Sequence, residues 1–347
     1  MSRALRYFAI VILGVVVVAE GIYLWKTPER GWIDDAARAG APGKFVRLSQ
    51  GVTHYEVSGP DTGRVVVLVH GFSVPYYIWD STAAGLSAAG YRVIRYDVFG
   101  RGLSDRPDVD YDGALVSRQL DELMDSLHVR PPFDLMGLSF GGFITGTYVA
   151  AHANKVRTLT LVDPVASSGK LPTMLTLPVI GPWIWQVTAV PGMAEGQASD
   201  FLHREKWPNW ADAYRPQMRY RGFGRALLRS AIVSSHIDYA AHYAAVGKTG
   251  VPVLLVWGKQ DSTVSIALSD VVRTNIPGID FLAVDSAGHL PHMEQAAIVR
   301  EKMLSFLAAH PVAGALPAPA NTPTSGAATT PATSPATTPA TTPATTP

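Results

Sequence analysis

Apolar residues run almost unbroken over positions 7–25, behind Arg3 and Arg6. As a helix rising about 1.5 Å per residue, the stretch covers roughly 28 Å, enough to cross a hydrocarbon core. The cations ahead of it put its amino end on the cytoplasmic side and the remainder of the chain outside. A cleaved export signal is the competing reading, with residues 8–19 as the apolar region and Val17-Val18-Ala19 as the cleavage site. Glu20 is costly at mid-bilayer but tolerable near the outer interface, where Tyr23 and Trp25 act as anchors. Because apolar residues continue past Glu20, residues 1–30 are assigned as a retained single-pass anchor. Secretion after cleavage is the alternative.

Beyond the anchor the pattern changes to short alternating elements. Residues 45–49 and 53–58 form a hairpin pattern around Gln50-Gly51. Residues 65–70 are a continuous β-branched run, the mark of a strand buried on both faces. A helix follows over 79–89, closed by Gly90. Next come a strand at 91–97, a helix at 115–127, a strand at 133–138, a helix at 140–152 and a strand at 157–162. This alternation predicts an α/β fold with a mainly parallel, doubly wound sheet. Over 165–246 the rhythm breaks: the stretch is rich in Pro and Trp, and it reads as an inserted helical cap. The pattern resumes with a strand at 253–257, a helix at 266–274, a strand at 281–284 and a helix at 295–310. The core is therefore assigned to 44–164 and 247–310. Residues 311–347 collapse to Ala, Thr, Pro and Ser, which bury too little apolar surface to offset their ordering entropy, so a disordered tail is expected.

Composition removes several functions. Apolar residues make up 47% and charged residues 16%, with a net charge of +1. Nucleic-acid binding needs concentrated Lys and Arg, and here they are scattered. The one loose run, Arg215, Arg219, Arg221 and Arg225, reads as a solvated face. With no cysteine, disulfides, thiolate catalysis and cysteine-held metals are excluded. The histidines show no H-x-x-x-H spacing, and no strand leads into G-x-G-x-x-G, so neither a metal nor another cofactor is expected.

The chemistry concentrates in Gly137-Leu138-Ser139-Phe140-Gly141, a G-x-S-x-G element between a predicted strand and a predicted helix. A turn that tight requires glycine on both sides and leaves the Ser139 hydroxyl proud at a helix amino end. A nucleophilic serine needs a base, and the base an orienting acid. Asp261 falls just past the strand at 253–257, and His289 just past the strand at 281–284. Both lie on the rim that carries Ser139.

With these residues in view, the sequence resembles the α/β-hydrolase superfamily. The matching pieces are His70-Gly71-Phe72, Tyr96-Asp97-Val98-Phe99-Gly100-Arg101-Gly102-Leu103-Ser104-Asp105, Gly137 to Gly142, Trp257-Gly258-Lys259-Gln260-Asp261 and Gly288-His289-Leu290-Pro291-His292-Met293-Glu294. Within the superfamily it is similar to the capped lipase and esterase branch that includes monoacylglycerol lipases. The resemblance implies an α/β-hydrolase fold and a triad of Ser139, Asp261 and His289. It also implies an oxyanion hole from the backbone N–H groups of Phe72 and Phe140. Asp163, at the end of the strand before the cap, is a second candidate acid, and His292 a rival base. His70, Asp97 and Asp105 read as structural. The expected reaction is hydrolysis of a lipophilic carboxylic ester, such as a monoacylglycerol, beside a membrane. Carbon–carbon bond hydrolysis on the same triad and non-catalytic ligand binding are the alternatives. Oligomeric state is not legible.

Overall fold

The computed structural model describes residues 2–311, so the tail expected over 311–347 lies, beyond Pro311, outside the described residues. Helix α1 (Arg3–Lys26) contains no buried residue, and its most apolar window has a mean hydropathy of 2.3. It is long and apolar enough to cross a bilayer or to serve as an export signal. A single turn, α2 (Asp35–Arg38), follows.

Eight strands form one sheet: β1 (Lys44–Leu48), β2 (Gly51–Ser58), β3 (Val65–Val69), β4 (Arg92–Tyr96), β5 (Phe133–Leu138), β6 (Val156–Val162), β7 (Val253–Gly258) and β8 (Asp280–Val284). Their spatial order is β1-β2-β4-β3-β5-β6-β7-β8. The first two pairings in that order, β1 with β2 and β2 with β4, are antiparallel; from β4 to β8 the strands are parallel. The chain winds one way from β3 to β4 and the other way from β5 onward. The carboxyl ends of β3 and β5 therefore flank a topological switch point, where a crevice opens in such sheets. In that register Val69 pairs with Gly137, which brings the segment after β3 beside the segment after β5.

Alternating strand residues explain the two cores. Val67, Val69, Leu135, Leu159 and Leu255 face a layer made by α4 (Gly113–Ser126), α5 (Phe140–His152), α10 (Tyr239–Gly247) and α11 (Ser269–Asn275). Val66, Leu68, Met136, Leu254 and Val256 face α3 (Asp80–Ala88) and α13 (Ala296–Ala309), which pack on each other. Both faces are covered, which is why these strands read as unbroken apolar runs. Between β6 and β7 lie the short helices α6 (Ile180–Thr188), α7 (Met193–Gly196), α8 (Trp210–Met218) and α9 (Phe223–Ser235), with 3-10 turns among them. The turn α12 (Pro291–Glu294) precedes α13.

Candidate active site

Strand β5 ends at Leu138 and α5 begins at Phe140, so Ser139 alone must reverse the chain. It does so at φ 53° and ψ −119°, a conformation rare for a residue with a Cβ. Backbone bonds impose it: Ser139 N–H donates to Val162 O at 2.9 Å, and Ser139 O accepts from Gly142 N–H at 2.8 Å. The glycines are sterically required. A Cβ on Gly137 would lie 2.4 Å from Gly141 O, and one on Gly141 would lie 2.4 Å from Val69 O. The resulting elbow aims the Ser139 side chain past Gly71, whose own Cβ position is 3.7 Å from Ser139 Oγ.

The structure brings Asp261 and His289 together. Asp261 Oδ1 accepts from Thr263 N–H and Val264 N–H, each at 2.8 Å, and Oδ2 lies 2.7 Å from His289 Nδ1. With Nδ1–H given to the carboxylate, Nε2 is the lone-pair nitrogen of the neutral ring. His289 N–H also donates to Asp200 O at 2.8 Å, and Glu294 Oε2 holds the preceding Gly288 N–H at 2.6 Å. Burial of the imidazole opposes its charged form. The hydrogen bond and charge of Asp261, with the charge of Asp200, outweigh that and raise the His289 pKa above its ordinary value. Among the described residues, neither Nε2 of His289 nor Oγ of Ser139 has a hydrogen-bond partner, and neither atom is sealed from solvent. No hydrogen bond joins the two. The backbone N–H groups of Phe72 and Phe140 are likewise unpaired among the described residues, the latter because it opens α5.

Asp163 follows β6 directly and lies beside this pair. One side-chain atom each of Asp163, Asp261 and His289 lie within 4.8 Å of one another. Asp163 Oδ1 accepts Gly258 N–H at 2.8 Å, while Oδ2 is buried without a partner. Complete burial, and then the neighbouring charge of Asp261, push its pKa well above the usual carboxylate range. A neutral Asp163 can donate its Oδ2 proton toward Asp261. Asp163 is thus not bonded to the imidazole. As a cation site the trio is poor, because Nδ1 of His289 is already engaged by Asp261.

The rival residues have other partners. His292 is buried against Trp79, bonds Ile78 O through Nε2, and is held by burial at a pKa of about 4. His70 accepts Val98 N–H at Nε2 and donates Nδ1–H to Gly71 O, with burial again lowering its pKa to about 4. Asp97 accepts from Leu103 N–H and Tyr76 N–H, and Asp105 from Val52 N–H. Two neighbours escape sequence reasoning. Asp200 sits in an irregular stretch with no motif around it. Arg101 lies inside a recognised motif but reveals its place only in three dimensions: it is 1% exposed. Its guanidinium bonds Phe72 O at 2.7 Å and Ser230 Oγ at 2.8 Å, between the rings of Phe72 and Phe140.

A family model described as the alpha/beta hydrolase family matches residues 66–302. A monoacylglycerol lipase of Xenopus laevis is 21% identical over 271 residues, covering 72% of this chain and 76% of that protein. Lipase 3 of a Moraxella species is 24% identical over 254 residues, covering 67% and 74%. Among solved structures, a thermophilic esterase from Thermogutta terrifontis superposes with a TM-score of 0.67 at 22% identity, covering 78% of this chain and all of that one.

Two isosteric substitutions separate the acids. Asp261→Asn disrupts the tautomer and should lower turnover about 10³–10⁴-fold in steady-state kinetics. Asp163→Asn keeps the oxygen that accepts Gly258 N–H and should leave turnover largely intact. Because the folded Asp163 pKa is raised, the native state holds its proton more tightly than the unfolded chain. That group's contribution to stability therefore falls as pH rises from about 4. Thermal melts should show Asp163→Asn gaining on the parent as pH is raised from 4 to 8.

Proposed function

Since the chain belongs to the alpha/beta hydrolase family, we propose that it is a serine hydrolase of lipophilic carboxylic esters, with Ser139 as nucleophile, His289 as base and Asp261 as the orienting acid. The observation that carries this reading is the pairing of Asp261 with Nδ1 of His289, which leaves a free Nε2 on the same sheet edge as a strained, unpaired serine. His289 takes the Ser139 proton as Oγ attacks the ester carbonyl. The imidazolium then protonates the departing alkoxide, and water, deprotonated by the same ring, cleaves the acyl-enzyme to release the acid and restore Ser139. The unpaired amides of Phe72 and Phe140 serve the developing oxyanion; two such donors contribute about 3–4 kcal/mol or more to transition-state stabilisation.

Support for a lipophilic acyl group comes from two sides. The chain is similar to proteins named as lipases and as a monoacylglycerol lipase. The two residues whose amides would serve the oxyanion, Phe72 and Phe140, carry aromatic rings that meet edge-to-face at 6.0 Å. Helix α1, retained as an anchor, would hold the catalytic unit on the outer membrane surface, with export followed by cleavage as the alternative.

A fluorophosphonate probe should label the wild-type protein and fail to label Ser139→Ala; a folded wild type that resists the probe would overturn the serine-hydrolase reading. Across p-nitrophenyl esters of rising chain length, octanoyl should be preferred to acetyl, and the reverse order would contradict the lipophilic substrate. Only neutral His289 can accept the serine proton, and its pKa is raised, so kcat/KM should climb with pH along a limb whose midpoint lies above 6.5.

A further inference from the structure

Away from α1, large exposed apolar side chains are few among the described residues, and four of them crowd into one short stretch. Met174, Leu177, Val179 and Ile180 are 57%, 42%, 83% and 52% exposed. Val179 combines that exposure with a φ of 66°, which a β-branched residue adopts only under strain. A cluster of this kind on an otherwise polar surface marks a contact with something apolar.

Two hydrogen bonds identify the partner by fixing how α6 runs against α1. Trp183 Nε1 donates to Ala19 O at 3.2 Å, and Gln186 Nε2 donates to Thr27 Oγ1, just past the end of α1, at 2.6 Å. Progress along α6 from Trp183 to Gln186 thus follows α1 outward. The amino end of α6, with Val179 and Ile180, points back down α1. The docking is firm: Glu29 accepts Gly222 N–H and Gly224 N–H, each at 2.7 Å, and Gly31 bridges to Tyr220.

The depth follows from helix geometry. A span of about 20 residues is needed for a hydrocarbon layer of roughly 30 Å. Counted from Tyr7, above the inner cations, it ends near Lys26. Ala19 then sits about 10 Å inside the outer boundary at 1.5 Å per residue. Side chains at or below that level meet acyl chains rather than water. At the boundary itself the exposed Trp25 and Trp32 carry Lys26 and Arg221 over their rings, at 4.4 Å and 5.2 Å. Indoles and cations are the groups that favour the headgroup layer. Arg221 therefore belongs to an interfacial set rather than to the solvated run in which the sequence pattern places it.

We propose that the turn from Met174 to Ile180 inserts among the acyl chains of the outer leaflet beside α1, so that the protein grips the membrane by a spanning helix and a second, shallow wedge. The proposal rests on the reading of α1 as a retained anchor, and not on the hydrolase chemistry. It also ties the segment between β6 and β7 to the bilayer.

The absence of cysteine makes a direct test possible. Val179→Cys, Val15→Cys in α1 and Asp61→Cys in the turn before β3 each give the full chain one thiol for an environment-sensitive NBD label. After reconstitution into phosphatidylcholine vesicles, the Val179 label should emit to the blue of the Asp61 label. It should be quenched by doxyl lipid and lose sensitivity to iodide, as Val15 does. Iodide quenching at Val179 comparable to Asp61, with Val15 still lipid-quenched, overturns the wedge. A Val179 label shielded from both quenchers means that another copy of the chain covers the patch, and also overturns it. An iodide-quenched Val15 label shows instead that the anchor reading has failed, and the wedge fails with it.

Discussion

The hydrogen bond between Nδ1 of His289 and Oδ2 of Asp261 decides what the site can do, because it fixes which ring nitrogen is left free. It does so only while Asp261 stays an acceptor and cannot rotate. Thr263 and Val264 secure the rotation by donating to its other oxygen. Asp163 lies against the same pair: burial, and then the charge of Asp261, raise its pKa, and it makes no bond to the imidazole.

Ser139 is presented by a different device. The elbow stores backbone strain at Ser139, and the surrounding structure over-determines it through Val162, Gly142 and glycines too closely packed to carry a Cβ. The same turn exposes the amide of Phe140, while Arg101 binds the carbonyl of Phe72 and so ties down the loop that carries the second amide. Ser139, Asp261 and His289 each follow the carboxyl end of a parallel strand, so sheet register is what carries them to one edge.

Much of this was legible before any coordinates, for identifiable reasons. Strands such as β5 and β7 are buried on both faces, so their boundaries appear as abrupt ends of apolar runs, and the residues just beyond them, Ser139 and Asp261, stand out. The loop after β8 is marked the same way. Arg101 was visible as part of a motif, but a buried cation bonded to carbonyls leaves no pattern along the chain. Asp200 was illegible, since the stretch between β6 and β7 is built from single turns without periodicity. The raised pKa of Asp163 comes from complete burial and then from the charge of Asp261, far along the chain, and no local rule reports either. The exposed turn at Met174–Ile180 lies within an apolar cap whose sequence does not sort lipid-facing residues from those packed on the sheet. Only the direction of α6 against α1 gives it a depth.

The central claim is that Ser139, His289 and the amides of Phe72 and Phe140 act on one carbonyl group. A crystal structure of the protein after reaction with a p-nitrophenyl alkylphosphonate tests it most directly. The account predicts continuous density from Ser139 Oγ to phosphorus, the phosphoryl oxygen about 3 Å from both amides, and His289 Nε2 turned toward Oγ. An unmodified Ser139, or an adduct whose oxygen points away from Phe72 and Phe140 with the imidazole out of reach, would contradict it.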